Sequence, residues 1–265
     1  MTAPALRGAA PPDAAADWTV DQAWSRYTAA EHRTWVTLYE RQAEVLAGRA
    51  CDEFLHGLKA LDLHGAGIPD FSRINERLNR LTGWSVVAVH GLVPDEVFFD
   101  HLANRRFPAG RFIRRPDQLD YLQEPDVFHD VFGHVPMLTN PTFADYMQAY
   151  GRGGARAAGL GQLPNLARLY WYTVEFGLMA TPAGLRIYGA GIVSSHAETL
   201  YSLEDPRPRR IPFDLERVMR TPYRIDDLQP LYMVIPSLQT LLEVTQQDFA
   251  PVYARVRGQP DLALP

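Results

Sequence analysis

Two histidines five residues apart constrain this chain more than any other feature. They are His129 and His134 in Pro125-Asp126-Val127-Phe128-His129-Asp130-Val131-Phe132-Gly133-His134. About forty positions later a lone carboxylate, Glu175, sits in Trp171-Tyr172-Thr173-Val174-Glu175-Phe176-Gly177. Two imidazoles and one carboxylate hold a metal on one face and leave the opposite positions open to oxygen and substrate. That is the usual ligand set of a non-haem Fe(II) oxygenase. For such chemistry the fold must bring two segments distant in sequence to one point.

The spacing makes a local demand as well. On a regular helix five steps rotate by about 140°, so the two imidazoles would diverge. The pair therefore predicts a helix that ends near Gly133, a residue type that permits the turn, with His134 swung back. Glu175 lies among Leu169, Tyr170, Trp171, Tyr172, Val174, Phe176 and Leu178. An ionised carboxylate there is costly unless it is paired or bound to a metal. The residues alone leave two alternatives open, metal ligation and a salt bridge to an arginine such as Arg168. A zinc hydrolase also uses two histidines and a glutamate, but its usual helix reads His-Glu-x-x-His. Here the spacing is longer and Asp130 follows His129. Ser194-Ser195-His196 lacks the Gly-x-Ser-x-Gly elbow of a serine hydrolase.

A chain of 265 residues with 46% hydrophobic content can bury one large core. The net charge of −5, with no basic tail, argues against a nucleic-acid binder. The single cysteine, Cys51, excludes an internal disulfide and a thiolate zinc site. It points to a reduced, cytoplasmic setting. No apolar run approaches the ~20 residues of a membrane span. Residues 1–16, rich in Ala and Pro, read as a disordered lead-in without the apolar core of a secretory signal. A single domain is expected over 17–265.

The helical period dominates. It predicts helices over Asp21–Ala50, Cys51–Leu61 and Asp70–Leu81, the last capped by Asp70 and closed by Gly83. Further helices begin at Pro94, run from Asn140-Pro141 to about Tyr150, span Leu163–Leu178, and run from Pro236 to about Val256. Short strands are expected at Trp84–Val89, Arg111–Arg114, Leu185–Tyr188 and Leu231–Ile235. The fold class is thus mainly α with a few short β-strands, without a doubly wound parallel sheet.

With these segments in view, the chain resembles the pterin-dependent aromatic amino acid hydroxylases. Pro125–Pro136 looks like that family's iron motif and Trp171–Leu178 like its third-ligand segment. Gly189-Ala190-Gly191-Ile192-Val193-Ser194-Ser195 and Leu228-Gln229-Pro230-Leu231-Tyr232 match in order and spacing. The resemblance covers roughly Trp84 to Val234 and implies a single catalytic domain that uses Fe(II), a tetrahydropterin and O2. It assigns His129, His134 and Glu175 to the metal. Gly91-Leu92-Val93 falls on the pterin loop, Phe98 on a ring that stacks on the pterin, and Asp130 where animal members carry a pterin-contacting Glu. Arg114 matches the arginine that takes the substrate carboxylate, and its neighbour Arg115 is expected to face the other way. Pro125 and Trp171 match walls around the substrate ring, and Leu122 replaces a threonine of animal members. Ser194 and Glu198 match a hydrogen-bonding pair near the amino acid's polar end. Tyr170 and Tyr223 match tyrosines near the iron. Ile225 stands where tyrosine-specific members place an aspartate.

The implied reaction is hydroxylation of L-phenylalanine to L-tyrosine, as in bacterial members. The alternatives are a tryptophan or relaxed-specificity hydroxylase, and a sensor that binds metal and amino acid without turnover. The chain has no room for the regulatory domain and tetramerisation helix of animal members, so a monomer is expected, with no nucleic-acid or membrane partner.

Overall fold

The computed structural model describes residues 9–120 and 124–265. Helix α1 (Ala29–Leu46) starts where Thr28 and Glu31 form a reciprocal capping box. That box puts its start eight residues later than the apolar spacing from Asp21 predicts, and Trp24–Arg26 form a separate 3-10 turn. Helix α2 is Asp52–Leu61, and α3 is Phe71–Thr82. The Asp70 side chain caps α3, and Gly83 ends it with a φ of 74°.

Strand β1 (Ser85–Val89), helix α4 (Asp95–Ala103) and strand β2 (Arg106–Gly110) form a small parallel crossover unit. The strand expected at Arg111–Arg114 is displaced to Arg106–Gly110. Its proline, Pro108, disguises β2 in the sequence. The Arg111 N–H reaches the Val89 carbonyl at 3.1 Å, so the alternate nitrogens of β2, including that of Pro108, face the edge away from β1. A residue without an N–H is tolerated there.

Residues 128–134 form a π-helix and Val135–Thr139 a 3-10 turn. Helix α5 (Pro141–Gly159) begins on the Asn140 cap and runs beyond the expected end at Tyr150. Its glycines allow that length against α4, since a Cβ on Gly151 would lie 2.4 Å from the Ala103 nitrogen. Helix α6 (Leu163–Tyr170) widens into a second π-helical segment, Trp171–Glu175. Strands β3 (Leu178–Thr181) and β4 (Gly184–Ile187) follow as a hairpin. Then come α7 (Ala190–Val193), α8 (His196–Glu204), β5 (Arg209–Pro212), α9 (Leu215–Arg220) and β6 (Leu231–Ile235). β6 lies between β3 and β5, parallel to both. The expected closing helix is two, α10 (Leu238–Gln246) and α11 (Ala250–Val256), the second starting with Pro251 in its first turn. The architecture is mainly helical with short strands.

Aromatic side chains form the inner face of the π-helix and the core beneath it. Phe128 and Phe132 stack at 4.7 Å and 10°, with Trp35 edge-on to the first at 5.1 Å and Phe54 edge-on to the second at 5.7 Å. All four are buried to 1% exposure or less, so this slab anchors one face of the segment and aims the other at the site. Residues 9–16, within the stretch expected as a lead-in, carry a turn closed by the Ala14 N–H on the Pro11 carbonyl. Asp13 there pairs with His90 at 2.9 Å. No helix among the described residues is long and apolar enough to cross a membrane.

Candidate metal centre

The π-helix Phe128–His134 resolves the five-residue spacing. Its i→i+5 hydrogen bonding sets residues five apart above one another, so both imidazoles leave one face. The helix therefore widens where the spacing had predicted an end at Gly133. The two Nε2 atoms stand 3.1 Å apart. Glu175 closes the second π-helical segment, its Oε1 3.2 Å from His134 Nε2 and its Oε2 3.6 Å from His129 Nε2. One ligand atom from each of the three residues lies within 4.8 Å of the others. Arg168, the alternative partner for Glu175, instead pairs with Asp261 at 2.7 Å and reaches the Met219 carbonyl.

Glycines permit this approach. A Cβ on Gly189 would sit 2.4 Å from the Gly177 nitrogen and 2.5 Å from the Glu175 carbonyl oxygen. The Gly189-Ala190-Gly191 segment thus packs directly on the backbone that carries Glu175. Just beyond it, the Ser194 hydroxyl donates to the Ala190 carbonyl at 2.8 Å. With its one proton engaged, Ser194 Oγ accepts from the His129 Nδ1–H, at 2.9 Å. His129 is thereby held as the tautomer that presents a bare Nε2 to the centre.

Electrostatics favour the same state. Burial pushes the His129 pKa down to about 4, against the opposing pull of Glu175, so the ring is neutral and free to ligate near pH 7. Burial acting alone would raise Glu175, but His134 and His129 outweigh it and hold the carboxyl below its ordinary range. His129 Nε2 and the Glu175 oxygens are acceptors converging on one point, which a cation completes. Two imidazoles and a carboxylate are a donor set suited to Fe(II).

The remaining candidate residues surround this point. Arg114 is buried and bidentate with the fully buried Asp126, from Nε and Nη2 at 2.9 Å each. Among the described residues its Nη1 has a single weak partner, the Leu119 carbonyl at 3.4 Å. Arg115 is exposed and pairs with Asp117. Trp171 stacks on Tyr223 at 4.2 Å and donates its indole N–H to Gln229 at 2.9 Å. Tyr170 lies between Phe98 and His134, with centroids 5.6 and 6.0 Å away. Asp130 is buried and accepts the Gly110 N–H at 2.7 Å, tying the π-helix to β2; burial raises its pKa to about 7. Gly91, Leu92 and Val93 follow β1 in a loop against which Glu124 packs, and Leu92 is 53% exposed. Pro125 is half-buried, with its carbonyl beside Gly110, and Ile225 is exposed. Leu122 lies outside the described residues.

Ser194 and Glu198 were expected as a pair, yet among the described residues they have separate partners. Glu198 is buried and accepts from the Tyr232 hydroxyl and the Gln229 N–H. The expected residues omit Asp126, which joins Arg114 to the His129 backbone N–H at 3.0 Å, and Gln229, which joins Trp171 to Glu198. Both stand inside quoted motifs, but neither has a spacing that announces its partner.

Residues 13–255 match the family described as biopterin-dependent aromatic amino acid hydroxylase. The chain is 70% identical over 264 residues to the phenylalanine-4-hydroxylase of Caulobacter vibrioides, covering 100% of this chain and 90% of that one. It is similar to the crystal structure of Chromobacterium violaceum phenylalanine hydroxylase with bound oxidised Fe(III). The TM-score is 0.91 and the identity 58%, covering 93% of this chain and 90% of that one. The iron- and phenylalanine-bound structure of the same enzyme superposes with a TM-score of 0.90 at 56% identity, again covering 93% and 90%. On its motifs, its fold and these relationships together, the chain belongs to the biopterin-dependent aromatic amino acid hydroxylase family.

Proposed function

We infer that this protein is a monooxygenase that converts L-phenylalanine to L-tyrosine with O2, Fe(II) and a tetrahydropterin. The observation that carries this reading is the meeting of His129, His134 and Glu175 within 4.8 Å. We assign the iron to these three residues. When bound, iron and pterin supply the oxygen activation, and the protein supplies position, orientation and a dry site.

Each side chain then has a definable task. Ser194 keeps the His129 ring in its ligating tautomer. Asp126 holds the Arg114 fork in place, so that Nη1 and the outer edge of Nη2 remain to take an amino acid's carboxylate. The Trp171 ring, backed by Tyr223 and tethered by Gln229, forms a wall for the substrate ring, and Pro125 forms another. Gly91–Val93 and Phe98 receive the pterin, and Asp130 orients the β2 edge beside it. Tyr170 packs between His134 and Phe98, and thus between the metal and pterin assignments. Ile225 gives an apolar margin that favours phenylalanine over tyrosine. Holding both reactants in line can contribute several kcal/mol, up to ~7–11 in favourable cases.

We further propose one catalytic domain over 17–265, acting as a monomer in the cytoplasm. Sedimentation of the metal-loaded protein tests the monomer.

The functional test supplies anaerobic Fe(II), a tetrahydropterin and L-phenylalanine, then oxygen, and measures tyrosine. No tyrosine at any iron loading overturns the reading and favours a binding protein without turnover. Parallel assays with tryptophan and tyrosine measure how strict the preference is. His134→Ala should lose iron and activity together while staying folded; full activity would remove His134 from the ligand set.

A further inference from the structure

A cavity of about 390 Å3 lies between the start of α1, the loop over 62–70 and α3, and shares no residue with the metal centre. Its volume falls in the range of small-molecule sites, roughly 300–1,000 Å3. Trp35, Leu63, Ile68 and Ile74 give it an apolar floor, each buried to 3% exposure or less. Trp24 stands at its margin, 39% exposed, with its indole N–H tied to the Ile68 carbonyl at 2.7 Å. The surface there presents a held aromatic ring beside an apolar hollow.

The polar rim is unevenly satisfied. Asp62 is ion-paired with Arg77 at 2.8 Å and lies 2.7 Å from His64 Nε2. Asp70 accepts the N–H and hydroxyl of Ser72. Two donors are left over. The exposed Arg73 guanidinium has no hydrogen-bonding or ionic partner among the described residues. His32 accepts the Ile68 N–H at Nδ1, 3.1 Å away, so its neutral ring carries the proton on Nε2, which also has no partner among them. Asp62 is ion-paired and Asp70 is hydrogen-bonded by Ser72 alone, while one guanidinium and one imidazole N–H have no partner among the described residues.

We propose that this cavity is a second ligand site that takes a small aromatic carboxylate. The ring lies against the apolar floor and Trp24, and the carboxylate is received by the Arg73 fork and the His32 Nε2–H. Charge-assisted pairing of a carboxylate with a guanidinium fork selects the anion over a neutral or cationic analogue. Gly67 shapes the site from the loop side. Its φ is +130°, and a Cβ there would sit 2.7 Å from His32 Nδ1, so the loop closes on the imidazole only with glycine.

The five tryptophans allow a site-resolved test that does not read activity. The full chain is labelled with 5-fluorotryptophan, its resonances are assigned by single Trp→Phe variants, and it is titrated with phenylacetate and, separately, benzylamine. The Trp24 and Trp35 resonances should shift saturably with phenylacetate and not with benzylamine. Arg73→Glu, a surface change on α3, should weaken that binding at least tenfold, and Arg73→Lys should recover part of it. Tyrosine formation should be unchanged in both variants. A shift confined to Trp171, equal response to both probes, or no saturable shift at millimolar phenylacetate overturns the proposal. So does unaltered affinity in Arg73→Glu.

Discussion

Replacing Asp126 by Asn tests the link between the metal and substrate assignments. Asp126 is fully buried and accepts four hydrogen bonds. Oδ2 takes the Arg114 backbone N–H and Nε–H, both at 2.9 Å. Oδ1 takes the Arg114 Nη2–H at 2.9 Å and the His129 backbone N–H at 3.0 Å. In Asn one of these oxygens becomes an NH2 that faces two donors, so either orientation loses two bonds. Arg114, only 8% exposed, also loses its counter-charge. Breaking a buried pair by removing one partner costs roughly 3–5 kcal/mol. At about 2–4 °C per kcal/mol for a chain of this size, Tm should fall by about 6–20 °C.

The effect has a pH signature. Burial pushes the Asp126 carboxyl up, but the Arg114 hydrogen bonds and charge together outweigh it and hold the carboxyl below the ordinary range. A depressed folded-state pKa means that the unfolded chain binds the proton more readily. The stabilisation is then full above the unfolded value of about 3.9 and is lost as pH falls through the folded value. Calorimetry of the metal-free parent and Asp126→Asn should show the full gap at neutral pH, narrowing in acid. A neutral-pH loss no larger than one ordinary hydrogen bond, about 1 kcal/mol, or a gap that widens in acid, would refute the reasoning.

Three further outcomes can be measured. Ser194→Ala removes the acceptor of the His129 Nδ1–H and should weaken metal binding about 10–100-fold in a Co(II) titration, with the fold retained. Gly189→Ala forces a Cβ to 2.4 Å from the Gly177 nitrogen, so chemical denaturation should show a loss of about 1–3 kcal/mol or more, together with weaker metal binding. Glu198→Gln should be tolerated, because Tyr232 and Gln229 both donate to Oε1, which an amide oxygen can replace. Burial raises the Glu198 pKa, so its ionisation disfavours the folded state as pH rises, and the variant's stability relative to the parent should improve from acid to neutral pH.

Much of the scaffold was legible because its signals are local. Asp70 and Gly83 bound α3, Asn140-Pro141 starts α5, and the apolar run at β6 needs no partner to be recognised. The ligand types were legible too, since a carboxylate inside an aromatic helix requires compensation. What stayed hidden depends on distant partners. β2 is concealed by Pro108 until β1 and the unpaired edge define which nitrogens are needed. Strands β3 and β5 exist because β6 lies between them. The Thr28 cap is masked in the sequence because apolar residues at helical spacing also precede it.

The sequence by itself determined the chemistry available, two imidazoles and a carboxylate in family motifs, together with the helices whose caps lie within a few residues of their ends. Only the tertiary structure decided that the chain widens into π-turns at Phe128–His134 and Trp171–Glu175, that Ser194 serves His129, and that Asp126 couples Arg114 to the same histidine. The physical reason is range. Capping and periodicity act over one turn, whereas a π-turn and a shared buried hydrogen bond become favourable only when packing from elsewhere in the chain has excluded water and set the distance.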